Sequence, residues 1–153
     1  MNKGMTSVRN GHAWRDRVYS LLKAWLRDDG IEIEKKNVFQ DISGSMRRAD
    51  VFIPAGLLSP PFDGPVIVEA KFQDGTGSAH ERIWKDYINS LIRSPYATLF
   101  ACDGEWYRPF VEWVGGHEAK TFCRVVGRME IDAVLGTQEL VNWYERHRKS
   151  LFD

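Results

Sequence analysis

Glu69 and Lys71 stand two residues apart in the run Pro65-Val66-Ile67-Val68-Glu69-Ala70-Lys71-Phe72-Gln73. Read as a strand, the run alternates its side chains between two faces. Val66, Val68, Ala70 and Phe72 make one face, wholly apolar and suited to a core. Ile67, Glu69, Lys71 and Gln73 make the other, with an acid, a base and an amide in line. A carboxylate and an ammonium on an otherwise buried strand are costly without partners, so residues of this kind are candidates for a site. Upstream, a second short apolar run carries a single acid, Ala49-Asp50-Val51-Phe52-Ile53-Pro54. If the two runs pair as strands, Asp50 and Glu69 converge at one end with Lys71 beside them. That is a divalent-metal site with a lysine in reach.

Asp50 followed by Glu69-Ala70-Lys71 on the next strand resembles the PD-(D/E)XK nuclease superfamily, which includes many type II restriction endonucleases. The segment Gln73-Asp74-Gly75-Thr76-Gly77-Ser78-Ala79-His80-Glu81-Arg82-Ile83 is similar to some restriction-type members, which follow the lysine with a glutamine, a Gly-Ser or Gly-Thr turn and a helix opening with an acid and a base. The likeness runs from Gly11 to Cys102. Glu-x-Lys alone is a weak motif, and the chain holds a second one, Glu34-Lys35-Lys36. That one sits in a charged stretch with no acid-bearing strand before it, whereas Glu69 and Lys71 have such a strand and a Gly-rich turn after them.

The resemblance implies an α/β fold with a restriction endonuclease-like core, a mixed central β-sheet flanked by helices, over one domain spanning 1–153. It implies a Mg²⁺-dependent endodeoxyribonuclease in which Mn²⁺ can substitute. Asp50, Glu69 and the backbone carbonyl of Ala70 would hold the metal. Lys71 would orient the attacking water or stabilise developing charge, and Gln73 would assist on the same face. DNA contacts fall to Arg15, Arg47, Arg48, Ser78, Arg82 and Lys85. In the family, the first helix often adds a glutamate one turn before a core valine. Aligned through Gly11 and Val18, that position is Arg15 here, and Asp16 points almost opposite the apolar face, so no third acidic ligand is expected from this helix. Cutting both strands with so small a chain implies a homodimer.

A length of 153 residues suits one domain with a real core and leaves no room for a separate recognition domain. A hydrophobic content of 43% with 27% charged residues is that of a globular chain. No apolar run approaches twenty residues and Met1 to Asn10 is polar, so neither a membrane span nor a signal peptide is expected. Cys102 and Cys123, each in apolar surroundings, read as buried thiols in a reducing, cytoplasmic compartment. The net charge of zero lacks the basic footprint of many DNA-binding proteins, although an acidic metal site offsets basic surface elsewhere.

The positioning elements follow from periodicity. Gly11 to Arg27 reads as an amphipathic helix with Trp14, Val18, Leu21, Leu22 and Trp25 on one face, ended by Asp28-Asp29-Gly30. Ile31 to Lys35 alternates like a half-exposed strand. Asp41, Ser43, Gly44 and Ser45 signal a turn, followed by Arg47-Arg48 in a position to hold phosphates or to lie in a solvated loop. Gly56 to Gly64, with Pro60 and Pro61, is a loop. Ser78 with Glu81 forms a capping box for a helix that buries Trp84, Tyr87, Ile88 and Leu91 and shows Arg82, Lys85, Asn89 and Arg93 on another face. Tyr96 to Cys102 is a buried strand ending at an Asp103-Gly104 turn. Glu105 to Gly116 is aromatic-rich, suited to packing a terminal element or to stacking on bases. Thr121 to Val126 reads as the last strand. Thr137 is the expected cap of a final helix with Leu140, Val141 and Tyr144 inward and the basic Arg146-His147-Arg148-Lys149 near its C-terminus. Three functions compete: a restriction-type endonuclease, a structure-selective nuclease such as a Holliday-junction resolvase or repair nuclease, and a non-catalytic DNA-binding protein on the same fold.

Overall fold

The computed structural model describes residues 3–29, 33, 37–41, 43–74, 81–82, 85, 96–115 and 131–149. In chain order the elements are helix α1 (Lys3–Asp28), strands β1 (Asn37–Gln40), β2 (Met46–Ala49), β3 (Val51–Ile53), β4 (Val66–Gln73) and β5 (Ala97–Gly104), helix α2 (Arg108–Gly115), strand β6 (Ile131–Leu135) and helix α3 (Thr137–His147). Helix α1 is longer than its apolar stripe suggests, because no proline interrupts the polar residues before Gly11. Its buried face is Trp14, Val18, Leu22 and Leu26, four residues apart.

The sheet has the order β3-β4-β5-β6. Strand β3 runs antiparallel to β4, while β4, β5 and β6 are parallel. The mixed α/β sheet expected from the sequence is therefore present. One face carries the larger core, where Val66, Val68, Leu99, Ala101 and Val134 meet α1 and α3. On the other face Phe100, Cys102, Ile131 and Ala133 meet Phe110 and Val114 of α2, and Ile67 meets Phe39 and Ala49. Packing is thus the role of the aromatic-rich segment: Trp106 stacks on Phe110 with ring centroids 4.6 Å apart.

Several elements differ from expectation. Arg47 and Arg48 lie in β2, which pairs with β1 as a separate two-stranded ribbon, and not in a loop. A strand of four residues with two adjacent arginines shows no apolar alternation by which to find it. Strand β6 was not foreseen because Asp132 breaks its apolar run. That carboxylate is buried and accepts hydrogen bonds from the Ala133 N–H (2.8 Å) and the Trp143 indole N–H (3.1 Å). Gly136, not Thr137, caps α3, with φ of 89° and no side-chain cap bond. The expected strand at Thr121–Val126, with Cys123, lies outside the described residues, as do Gly30, Glu34 to Lys36, Ser78 and most of the helix expected after it. Of the strand expected at Ile31 to Lys35 only Ile33 is described, and it is buried.

The C-terminal end of α3 is fastened twice. Tyr144 stacks on Trp25 (5.1 Å) and donates its hydroxyl to Asp29, which Arg148 also approaches at 3.8 Å. On the other side, Leu58 bridges Arg148, and the Ser59 N–H and hydroxyl both donate to the His147 carbonyl (2.6 and 2.7 Å). No helix among the described residues is long and apolar enough to cross a membrane.

Candidate active site

The antiparallel register pairs Val51 with Val68. One further step along that register sets Asp50 opposite Glu69. Asp50 itself is a bend between β2 and β3, outside the ladder in which the sequence suggested it. From there its Oδ2 accepts a hydrogen bond of 2.8 Å from the Ala70 N–H. The N–H and C=O of one strand residue leave the same edge of the strand. The Ala70 carbonyl is therefore on the Asp50 edge too, beyond the end of the β3 ladder. Asp50 and Glu69 are both half-buried, as is Lys71.

On β4 the side chains alternate as the sequence demands. Val66, Val68, Ala70 and Phe72 belong to the core beneath α1, which leaves Glu69, Lys71 and Gln73 on the opposite face. In the parallel register Glu69 lies beside Phe100 and Lys71 beside Cys102. Burial pushes the Cys102 thiol far above its ordinary range, against the opposing influence of the Lys71 charge. Cys102 is therefore a neutral packing group, and the Lys71 ammonium lies close enough for its field to be felt there.

Gln73 is buried at the end of the row, and its carbonyl accepts the Glu105 N–H at 2.8 Å. Gly104 makes this approach possible. Its φ is +94°, and a Cβ there would stand 2.1 Å from the Gln73 carbonyl oxygen. The sequence signalled a turn at Asp103-Gly104 but not that the glycine abuts the strand carrying the candidate residues. Trp14 was also read only as core. Its indole N–H donates to the buried Ala101 carbonyl at 2.8 Å, fixing α1 on the residue paired with Ala70. The signal for this is general: a buried indole N–H finds an acceptor.

The candidate DNA contacts separate into groups. Arg47 is half-buried and pairs across the ribbon with Phe39, while Arg48 is exposed and pairs with Val38. They stand three and two residues before Asp50 in the chain. Arg15 is half-buried on α1, which covers the face of β4 away from Glu69 and Lys71, so the structure does not gather it into their row. Asp16 is exposed, as expected. Arg82 and Lys85 are helical and exposed.

Among the described residues no group of three or more His, Cys, Asp or Glu side chains could hold a metal ion. The donors at hand are two carboxylates and one carbonyl, all oxygen. Such a set suits a hard cation that keeps several waters, and it does not suit zinc. Compared with protein-family models, with curated proteins and with solved structures, the chain matches none.

Proposed function

We propose that this protein is a Mg²⁺-dependent endodeoxyribonuclease with a restriction endonuclease-like core, acting on DNA phosphodiesters as a homodimer in the cytoplasm. The observation that carries the reading is the hydrogen bond from the Ala70 N–H to Asp50, which brings an acid to the strand holding Glu69 and Lys71. Asp50, Glu69 and the Ala70 carbonyl would hold the Mg²⁺, with Mn²⁺ able to replace it. When bound, the ion neutralises phosphate charge and lowers the pKa of a coordinated water. The Ala70 N–H orients the Asp50 carboxylate by occupying Oδ2, which leaves Oδ1 to face a cation. Lys71 offers a positive charge to the phosphate oxygens as negative charge develops on them. Gln73 steadies the end of the row. Arg47 and Arg48 supply positive charge for DNA close before Asp50 in the chain, Arg47 toward the backbone, and Ser78, Arg82 and Lys85, which follow β4 in the sequence, are further candidate contacts.

The test is cleavage of plasmid, branched and single-stranded DNA. Mg²⁺ or Mn²⁺ should support cutting, EDTA should abolish it, and Ca²⁺ should allow binding without turnover. Cutting at a defined plasmid sequence marks a restriction-type enzyme, and cutting only of branched DNA marks a structure-selective one. Cleavage that persists in chelator would sink the mechanism. DNA binding without cleavage under any metal would leave the non-catalytic reading, which the small number of acidic donors among the described residues favours.

A further inference from the structure

We infer that the β1–β2 ribbon is the element that reads DNA sequence, entering the major groove beside the phosphate that a cation at Asp50 would hold, with Gln40, Met46 and Arg48 facing the bases. The inference rests on the nuclease reading and adds its recognition surface. Opposed residues of an antiparallel pair share a face. The register therefore puts Gln40 with Met46, and Arg48 one pair further on, on one side of the ribbon, and Phe39 with Arg47, and Ala49, on the other. The second side is the inward one: Phe39 and Ala49 are buried against Ile67. The first is bare. Met46 is 65% exposed, and Gln40 and Arg48 are exposed too. The arginine pair, contiguous in sequence, is thus divided between a half-buried residue near the sheet and an outward one.

The ribbon is also held in shape before any partner arrives. Asp41 Oδ1 accepts the Ser43 N–H (2.9 Å), the Ser43 hydroxyl (2.5 Å) and the Ser45 N–H (3.1 Å). Gln40 Nε2 donates to the Gly44 carbonyl at 3.1 Å, across the same turn. Asp41 is itself buried, so the described outer side presents no acid to oppose a polyanion.

Dimensions agree with the occupant. The major groove admits a two-stranded ribbon, being about 12 Å wide and about 8.5 Å deep. At about 3.3 Å per residue, Arg48 lies about 7 Å and Met46 about 13 Å of extended chain from Asp50. A phosphate at Asp50 and base edges within about four base pairs of it are therefore reachable at once. The three side chains match groove chemistry: a guanidinium for guanine, an amide for adenine and an apolar tip for the thymine methyl.

The test is selection of bound duplexes from a randomised pool in Ca²⁺, which needs no turnover, alongside cleavage in Mg²⁺. Arg48→Ala should lower discrimination at one base position by about tenfold to a hundredfold. Met46→Ala and Gln40→Ala should act at neighbouring positions. Arg47→Ala should weaken binding to all sequences alike and flatten its salt dependence. Arg48 and Met46 are exposed, so their truncation leaves the fold intact, and an unchanged melting temperature checks this for Gln40→Ala and Arg47→Ala. Ribbon-dependent selection without cleavage would refute the nuclease chemistry and keep the inference. Cleavage with an unchanged preference in all three outward variants would overturn the inference and keep the nuclease. A pool with no selected sequence, or self-association abolished by Met46→Asp, would assign the ribbon elsewhere and overturn it.

Discussion

Strand β4 separates two environments with a single set of alternate residues. Under α1 and α3, Val66 and Val68 are fully buried among Leu22, Leu99 and Trp143. On the opposite side Ile67 is buried beneath the ribbon and Gln73 at the far end, while Glu69 and Lys71 between them are half-covered. The first side gathers most of the apolar burial and so most of the stability. The second holds charges at a strand end, where an excess of packing would exclude a substrate. A strand shared by both gives the charged row a rigid mount, so stability and the proposed chemistry should be separable by mutation.

The largest effect should come from the packed side. Trp143→Ala removes a fully buried indole and its bond to Asp132, and should cost about 3–5 kcal/mol in denaturant unfolding. A normal midpoint would show that stability is not concentrated there. Lys71→Ala should do the converse: the cleavage rate falls about a hundredfold, near 2.7 kcal/mol, with the melting temperature unmoved. Equal cleavage would make the Glu69-Ala70-Lys71 pattern accidental.

Gly104→Ala belongs to neither side and should disturb both. A left-handed backbone position and the Gln73 carbonyl both oppose the new methyl, for about 1–3 kcal/mol together with slower cleavage. Loss of stability alone would disconnect the end of β5 from the charged row.

A smaller effect is expected at high pH. The Tyr144 hydroxyl titrates well above its ordinary value of about 10, first because it is buried and then because it donates to Asp29. The folded chain then keeps a proton that the unfolded chain releases. The contribution is whole below about pH 10 and is lost as pH rises beyond it. Tyr144→Phe should therefore lessen the alkaline decline in stability while cleavage near neutrality stays the same. Smallest of all, Asp16→Asn should leave cleavage within a few-fold of the parent, since its side chain is exposed. Abolished cleavage would mean that α1 does provide an acidic ligand.

What the sequence made legible was whatever local periodicity encodes. The stripe of α1, the alternation of β4 and the turn at Asp41 to Ser45 all depend on neighbours in the chain. The missed features depend on partners far away. Asp132 looks unfit for a buried strand until Trp143 supplies its donor. Arg47 and Arg48 look like a loop until β1 pairs with them. Trp143, read only as part of a helix, proves to be among the most buried residues because Phe62 closes over it, with ring centroids 5.2 Å apart. At the candidate site, Asp50 and Glu69 stand out in the sequence as acids on two apolar, strand-like runs, but the Ala70 N–H that draws Asp50 in is backbone, which no residue type advertises.

The loop joining Asp50's strand to Glu69's strand is held from the far end of the chain, through Leu58 to Arg148, Ser59 to His147, and Phe62 against Trp143 and His147. A ribosome delivers both carboxylates long before it delivers α3. During that interval the loop lacks its α3 contacts, and only its own Gly56 N–H bond to Asp63 and the β3–β4 pairing hold its ends together. Docking of α3 is the late event that fastens the loop, so a chain interrupted before Trp143 would carry the motif on strands whose connection lacks its second support.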